Sequence, residues 1–135
     1  MKLYFPEIDF AAAHYIPGHP KCGGVHGHNY FVRNLEIEVT ELDDTGMSID
    51  FGKIKDYFKE QWDHKFIVPD SAGGKWIQAC MDIDPFIALK IKPLRHTTAE
   101  WMALRIQQDL ILDLDLGVDS VHFELWEGPH QAVKI

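Results

Sequence analysis

Residues 19 to 32, HPKCGGVHGHNYFV, place one thiol, Cys22, four residues ahead of a tight His26-Gly27-His28 element. In an extended stretch, residues two apart point to the same face, which is how two imidazoles reach one ion. Gly27 between them removes bulk and lets the backbone bend. Upstream, FAAAH ends on His14, with Phe10, Ala12 and His14 on one parity and small alanines leaving room around the ring. Three neutral imidazoles with one open position suit a catalytic zinc, whereas Cys22 as a fourth ligand would close a structural site. A chain of this length has little need of such a staple. The third reading is that His-x-His is simply a histidine-rich loop without a ligand.

Cys22 stands in a Gly-rich loop, and positive charge from a nearby metal would favour its thiolate. Without the metal it reads as an incidental surface thiol. Asp63-His64 offers the carboxylate–imidazole pair that moves protons near neutral pH. At a helix end, the same pair could serve only the helix dipole. In SVHFELWEG, Val121, Phe123 and Leu125 share the apolar parity and Glu127 continues it. A carboxylate on a buried face needs hydrogen-bond donors, and a ligand with a guanidine-like N–H edge would supply a pair. If the strand ends or bulges there, Glu127 is merely solvated. Thr97-Thr98-Ala99-Glu100 fits a capping box, with the Thr97 hydroxyl on the N3 amide and Glu100 returning to the cap. Cys80 reads as a small buried hydrophobe.

These residues need elements to hold them. Residues 2 to 14 read as an extended segment with Pro6 at an edge or bulge. From Asn29 to Glu41 the alternation puts Phe31, Leu35, Ile37 and Val39 on one parity, with Arg33 the exception. DDTG signals a turn, and MSIDF reads as a short return strand completing a hairpin. Phe51, Ile54, Phe58 and Trp62 then recur at helical spacing over residues 51 to 62, and Asp63-His64 follows where that helix stops. A second helix opens at HTTAEW and runs to about Leu114. Residues 120 to 128 and 130 to 135 read as a closing hairpin. The segment from Val68 to Arg95 carries Gly73-Gly74 and prolines at 69, 85 and 93, and gives no clear period. The order β-β-α-α-β-β predicts an α+β fold, an antiparallel sheet with helices on one face.

The whole chain sets bounds. Its 135 residues suit one domain spanning 1–135. A net charge of −8 with no basic stripe argues against nucleic acid as a partner. No apolar run of about 18 residues predicts a membrane span. MKLYFPEIDF lacks the features of a secretory signal, so a reduced, cytoplasmic chain is expected. A His-x-His hydrolase on a (β/α)₈ barrel is excluded by length, since that fold takes about 250 residues.

FAAAH, CGGVHGH, IDFGKIK, DHKF, TTAEW and WEG, in this order and across essentially the whole chain, resemble the 6-pyruvoyl-tetrahydropterin synthase and 6-carboxy-tetrahydropterin synthase family. The resemblance implies the tunnelling fold, whose ββααββ subunits join edge to edge into a barrel, commonly a hexamer of two trimers. Barrel closure removes exposed sheet edges, which gives that assembly a physical motive. Active sites then lie at subunit interfaces. By the same resemblance His14, His26 and His28 hold Zn²⁺, Cys22 is the proton-abstracting base, and Asp63 and His64 complete the relay. Glu127 anchors the pterin through its 2-amino group and N3–H, with Thr97 and Thr98 lining the pocket.

The implied substrate is 7,8-dihydroneopterin triphosphate. The favoured reaction forms 6-carboxy-tetrahydropterin with release of acetaldehyde and triphosphate, on the route to deazapurine nucleosides such as queuosine. The alternatives are 6-pyruvoyl-tetrahydropterin formation and a non-catalytic pterin-binding zinc protein. The chain departs from the family in two places. Gly128-Pro129 follows Glu127, where the family often has threonine, and the 68–95 stretch is longer. That stretch carries Lys90, Lys92 and Arg95, either for the triphosphate or as incidental charge on a solvated loop.

Overall fold

A computed structural model describes residues 1–114 and 117–135. Strands β1 (Lys2–His14) and β2 (His26–Val39) form a long antiparallel pair. Helix α1 (Phe51–Gln61) leads to strand β3 (Lys65–Pro69), helix α2 (Asp70–Ile83), the single turn α3 (Pro85–Ala88) and strand β4 (Ile91–Leu94). Helix α4 (Ala99–Asp113), strand β5 (Val118–Glu127) and strand β6 (Ala132–Lys134) complete the chain. The sheet order is β4-β3-β1-β2-β5-β6.

The first strand, both predicted helices and the closing hairpin stand where the sequence puts them. Four details differ. Residues 47 to 50 form no return strand. Asp43 instead accepts N–H groups from Thr45 and Met47, and Asp50 caps α1 by accepting from the Gly52 N–H at 2.7 Å. The sheet is mixed, because β3 runs parallel to both β1 and β4. The unreadable 68–95 segment supplies that parallel edge and its helical cover. Its proline and glycine signals have local reasons: Pro85 opens α3, and Pro93 lies in the edge strand β4. A Cβ on Gly73 would come within 2.9 Å of the Pro93 ring, so glycine lets α2 approach β4.

The third difference is one of parity. Tyr30 and Val32 point inward at one end of β2, and Leu35, Ile37 and Val39 at the other. Asn34, with φ 53°, and the shifted β2–β5 register between Arg33 and Glu36 form a bulge that switches the face. Phe31 therefore leaves the core, and Arg33 lies over its ring at 5.1 Å.

The main core lies between the inward faces of β1, β2 and β5 and the helices α1 and α4. Phe10 stacks on Tyr30 with centroids 5.1 Å apart, next to Phe58 and Trp62. Met102, Ala103, Ile106 and Leu110 close it from α4. Val68, Cys80, Ala88 and Ile91 form a second cluster with Tyr15, Phe66 and Trp76. Ile67 belongs to the first cluster and its neighbour Val68 to the second, so α2 packs on the opposite sheet face from α1 and α4. The expectation of helices on one face holds for α1 and α4 and is corrected for α2. Among the described residues no helix is long and apolar enough to cross a membrane.

Candidate metal centre and active site

The antiparallel β1–β2 register pairs His14 with His26 and Ala12 with His28. Cross-strand pairing and the two-residue repeat thus bring three imidazoles to one place. One ring nitrogen from each lies within 4.8 Å of the others. The outer nitrogens of His14 and His26 are fixed. His14 Nδ1 bonds the Thr97 carbonyl at 2.7 Å, and His26 Nδ1 bonds the Gly24 carbonyl at 2.7 Å. A carbonyl only accepts, so each Nδ1 carries its proton and each Nε2 keeps a lone pair.

His14 Nε2 is buried and has no hydrogen-bond partner among the described residues, while the residue is 1% exposed. An orphaned buried acceptor is costly, and a metal ion would satisfy it. Burial pushes His14 below its ordinary value, against the Thr97 carbonyl and the Glu127 carboxylate, and so favours the neutral ligand form. The donor set fits a zinc-type ion. Cys22 is not part of this cluster, so the three-histidine reading is favoured over the closed Cys/His₃ site.

Glu127 ends β5 opposite Tyr30 of β2. It continues the inward parity and is half-buried. Its Oε1 lies 3.4 Å from both His14 Nε2 and His28 Nε2, and accepts from the Tyr30 hydroxyl at 3.1 Å. Its Oε2 accepts from the Gln131 amide at 3.2 Å. A cavity of about 390 Å³ opens beside it, lined in part by Ile16, His19, Thr98, Glu127 and Gln131. Burial and the neighbouring Glu127 raise the Tyr30 hydroxyl well above its ordinary value, so Tyr30 stays a donor.

Thr98 caps α4 by its backbone, without a side-chain cap bond, which corrects the expected capping box. The Thr97 hydroxyl is spent elsewhere, donating to the Tyr15 carbonyl at 2.5 Å. Thr97 is 2% exposed and ties the end of β1 to the start of α4. It supports His14, whereas Thr98 reaches the cavity.

Asp63 and His64 follow the end of α1. Asp63 Oδ1 accepts the Ala11 N–H at 2.9 Å, and Oδ2 lies 2.8 Å from His64 Nδ1. Burial alone would raise the Asp63 carboxyl, but the Ala11 N–H and His64 bring it below its ordinary value. His64 has φ 56°, a left-handed conformation that ends the helix, and its side chain is exposed. It lines a groove of about 780 Å³ over Ala11, Ala13 and Asn29, to which His28 also contributes. Within one chain, His64 thus shares this groove with His28, whereas His14, His26 and Cys22 do not line it.

Cys22 lies half-buried in the loop from Tyr15 to Val25, and Cys80 is buried as expected. Lys90 lines the outer groove, but Lys92 turns into the α1–α4 side and stacks over Trp62 at 4.5 Å. Arg95 lies 5.7 Å over Trp101. Residues that local spacing does not reveal are Tyr30, His19 and Gln131. Tyr30 had one readable signal, the continuing parity of His26, His28 and Tyr30.

Residues 5–135 match the family model described as 6-pyruvoyl tetrahydropterin synthase. A 6-carboxy-5,6,7,8-tetrahydropterin synthase of Rickettsia felis is 33% identical over 96% of each chain. That of Rickettsia bellii is 37% identical, also over 96% of each. Among solved structures, a 6-pyruvoyltetrahydropterin synthase of Plasmodium vivax aligns with TM-score 0.62 at 23% identity, covering 100% of this chain and 94% of the other. The mixed α+β architecture with its curled sheet is the tunnelling fold of these proteins. The chain belongs to the 6-pyruvoyl tetrahydropterin synthase family.

Proposed function

We propose that this protein is a zinc-dependent lyase that converts 7,8-dihydroneopterin triphosphate to 6-carboxy-5,6,7,8-tetrahydropterin, acetaldehyde and triphosphate. The products carry the atoms of the substrate plus one water. The observation that carries the reading is the convergence of His14, His26 and His28 beside Glu127 at the mouth of a heterocycle-sized cavity. The names of the Rickettsia relatives support the 6-carboxy product over the 6-pyruvoyl one.

His14, His26 and His28 would hold the metal. When bound, zinc supplies Lewis-acid polarisation of side-chain oxygens, which makes a neighbouring C–H proton easier to remove. Glu127 accepts from the pterin 2-amino group and N3–H, held in place by Tyr30 and Gln131. Thr98 lines the same cavity. The Cys22 thiolate takes the substrate proton, and His64, oriented by Asp63, passes it on.

The site is proposed to draw on more than one copy of the chain. The groove that His64 lines includes His28 but not Cys22, His14 or His26, which supports a neighbouring copy bringing its dyad to the Cys22 loop. A barrel of copies, here a hexamer of two trimers, provides this, and it also pairs the sheet edges at β4 and β6. The remaining expectations, one domain over 1–135 and a cytoplasmic setting, belong to the same proposal.

The test is incubation of zinc-loaded protein with 7,8-dihydroneopterin triphosphate, followed by mass spectrometry and an acetaldehyde trap. A 6-carboxy product with acetaldehyde is expected. A 6-pyruvoyl product without acetaldehyde would establish the second reading, which the family description favours. Unchanged substrate would leave a zinc-bearing pterin binder.

A further inference from the structure

The loop ahead of the His-Gly-His element is folded back on itself. Ile16 N–H donates to the Cys22 carbonyl at 2.7 Å, and His19 N–H donates to the Ile16 carbonyl at 3.1 Å. A Cβ on Gly23 would fall 2.7 Å from the His19 carbonyl oxygen, so glycine is required for the close approach. Inside this ring, His19 Nδ1 accepts the Cys22 N–H at 2.9 Å and the Lys21 N–H at 3.3 Å.

Two donors on Nδ1 fix the chemistry of the imidazole. Nδ1 carries no proton, so the neutral ring bears its hydrogen on Nε2. His19 also lines the cavity that holds Glu127 and Thr98. With the Nδ1 edge turned to its own loop, Nε2–H is the ring edge left for a ligand in that cavity. The cavity then presents an acceptor, the Glu127 carboxylate, together with a donor, His19 Nε2–H. A flat heterocycle with an N–H pair on one edge and a carbonyl or ring nitrogen on the next matches both.

We propose that His19 couples the cavity to Cys22: its Nε2–H donates to an acceptor atom of the bound heterocycle while its Nδ1 holds the Cys22 backbone. Ligand in the cavity thereby fixes the position of the thiol, making His19 both a ligand contact and a positioning residue for Cys22. The idea rests on the pterin reading above, and it adds a residue that the metal and carboxylate assignments leave unused.

Two substitutions separate the roles. In His19→Asn the side-chain oxygen replaces Nδ1 but cannot reach the cavity. In His19→Gln the amide nitrogen replaces Nε2 but cannot hold the Cys22 N–H. Two readouts are needed: neopterin affinity by fluorescence, and the alkylation rate of Cys22 by iodoacetamide, located by peptide mass spectrometry. Zinc content and circular dichroism confirm that each variant folds.

Wild type is expected to bind neopterin, with Cys22 alkylation changed severalfold when it does. His19→Asn should bind about tenfold more weakly, the loss of one hydrogen bond, and keep the ligand-free alkylation rate. His19→Gln should keep its affinity and alter that rate. Variants that match wild type on both readouts, or change both equally, overturn the assignment of His19. Wild type that fails to bind neopterin instead overturns the pterin reading beneath it.

Discussion

The Tyr30 hydroxyl and the Glu127 carboxylate meet at 3.1 Å across the β2–β5 pair, on the oxygen that faces two imidazoles of the triad. One buried phenol thus orients the acid that the proposed function assigns to the pterin. Tyr30→Phe keeps the ring against Phe10 and removes only the donor. Hydrogen bonds to charged groups are worth about 1.5–3 kcal/mol, so neopterin affinity should fall roughly 10- to 100-fold. Zinc stoichiometry should not change. Titration of neopterin fluorescence with both proteins checks this, and equal affinities would contradict it.

The metal claim concerns stability as well as chemistry. Zinc at about 100 times its dissociation constant should add roughly 2.7 kcal/mol to unfolding. His14→Ala removes the buried ligand and should lose both the bound zinc and this increment. Denaturant unfolding with and without zinc, after chelator treatment, measures it. A zinc increment surviving in His14→Ala would contradict the triad.

His64 holds a left-handed backbone that suits asparagine or glycine better than histidine. His64→Asn and His64→Gly should therefore fold within about 1 kcal/mol of wild type. If His64 moves the proton, turnover should fall by roughly 10²–10⁴. Steady-state assays beside thermal melts separate the two. Full activity in either variant would remove His64 from the relay.

Burial lowers the Lys92 ammonium to about 8, against the attraction of Asp109 and with repulsion from Arg105 and Lys65. The ordinary value is 10.5. Above about pH 8 the folded chain sheds this proton while the unfolded chain still holds it, so stability gains with rising pH. Relative to Lys92→Met, wild type should gain stability from pH 8 to 10 and show a constant difference below 8. Tyr57, raised by burial within the same network, is common to both proteins and cancels. Paired denaturant curves across that range provide the check.

The sequence made the local pieces readable and hid those that depend on distant partners. His26 and His28 share a face by a two-residue repeat, and α1 declares itself through Ile54, Phe58 and Trp62. The bulge at Asn34 was illegible because parity switches without an apolar signal, so Phe31 looked like core. Gly73, Pro85 and Pro93 read as loop markers. In the fold they serve close packing, a helix start and an edge strand. Thr97 resembled a cap because the spacing of Glu100 fits. Its real partners, Tyr15 and His14, lie 82 and 83 residues away. His64 lines a groove with His28 but not with Cys22, His14 or His26, and spacing cannot reveal that.

The central claim is that these separated halves form one catalytic centre across two copies of the chain. Cys22→Ala and His64→Asn should each be inactive alone. Co-refolded in equal amounts, they should regain activity, with about a quarter of the sites receiving one intact thiol and one intact dyad from neighbouring copies. Recovery near that level, measured by product formation from 7,8-dihydroneopterin triphosphate, is the predicted result. A mixed assembly as inactive as its parents would contradict the shared centre.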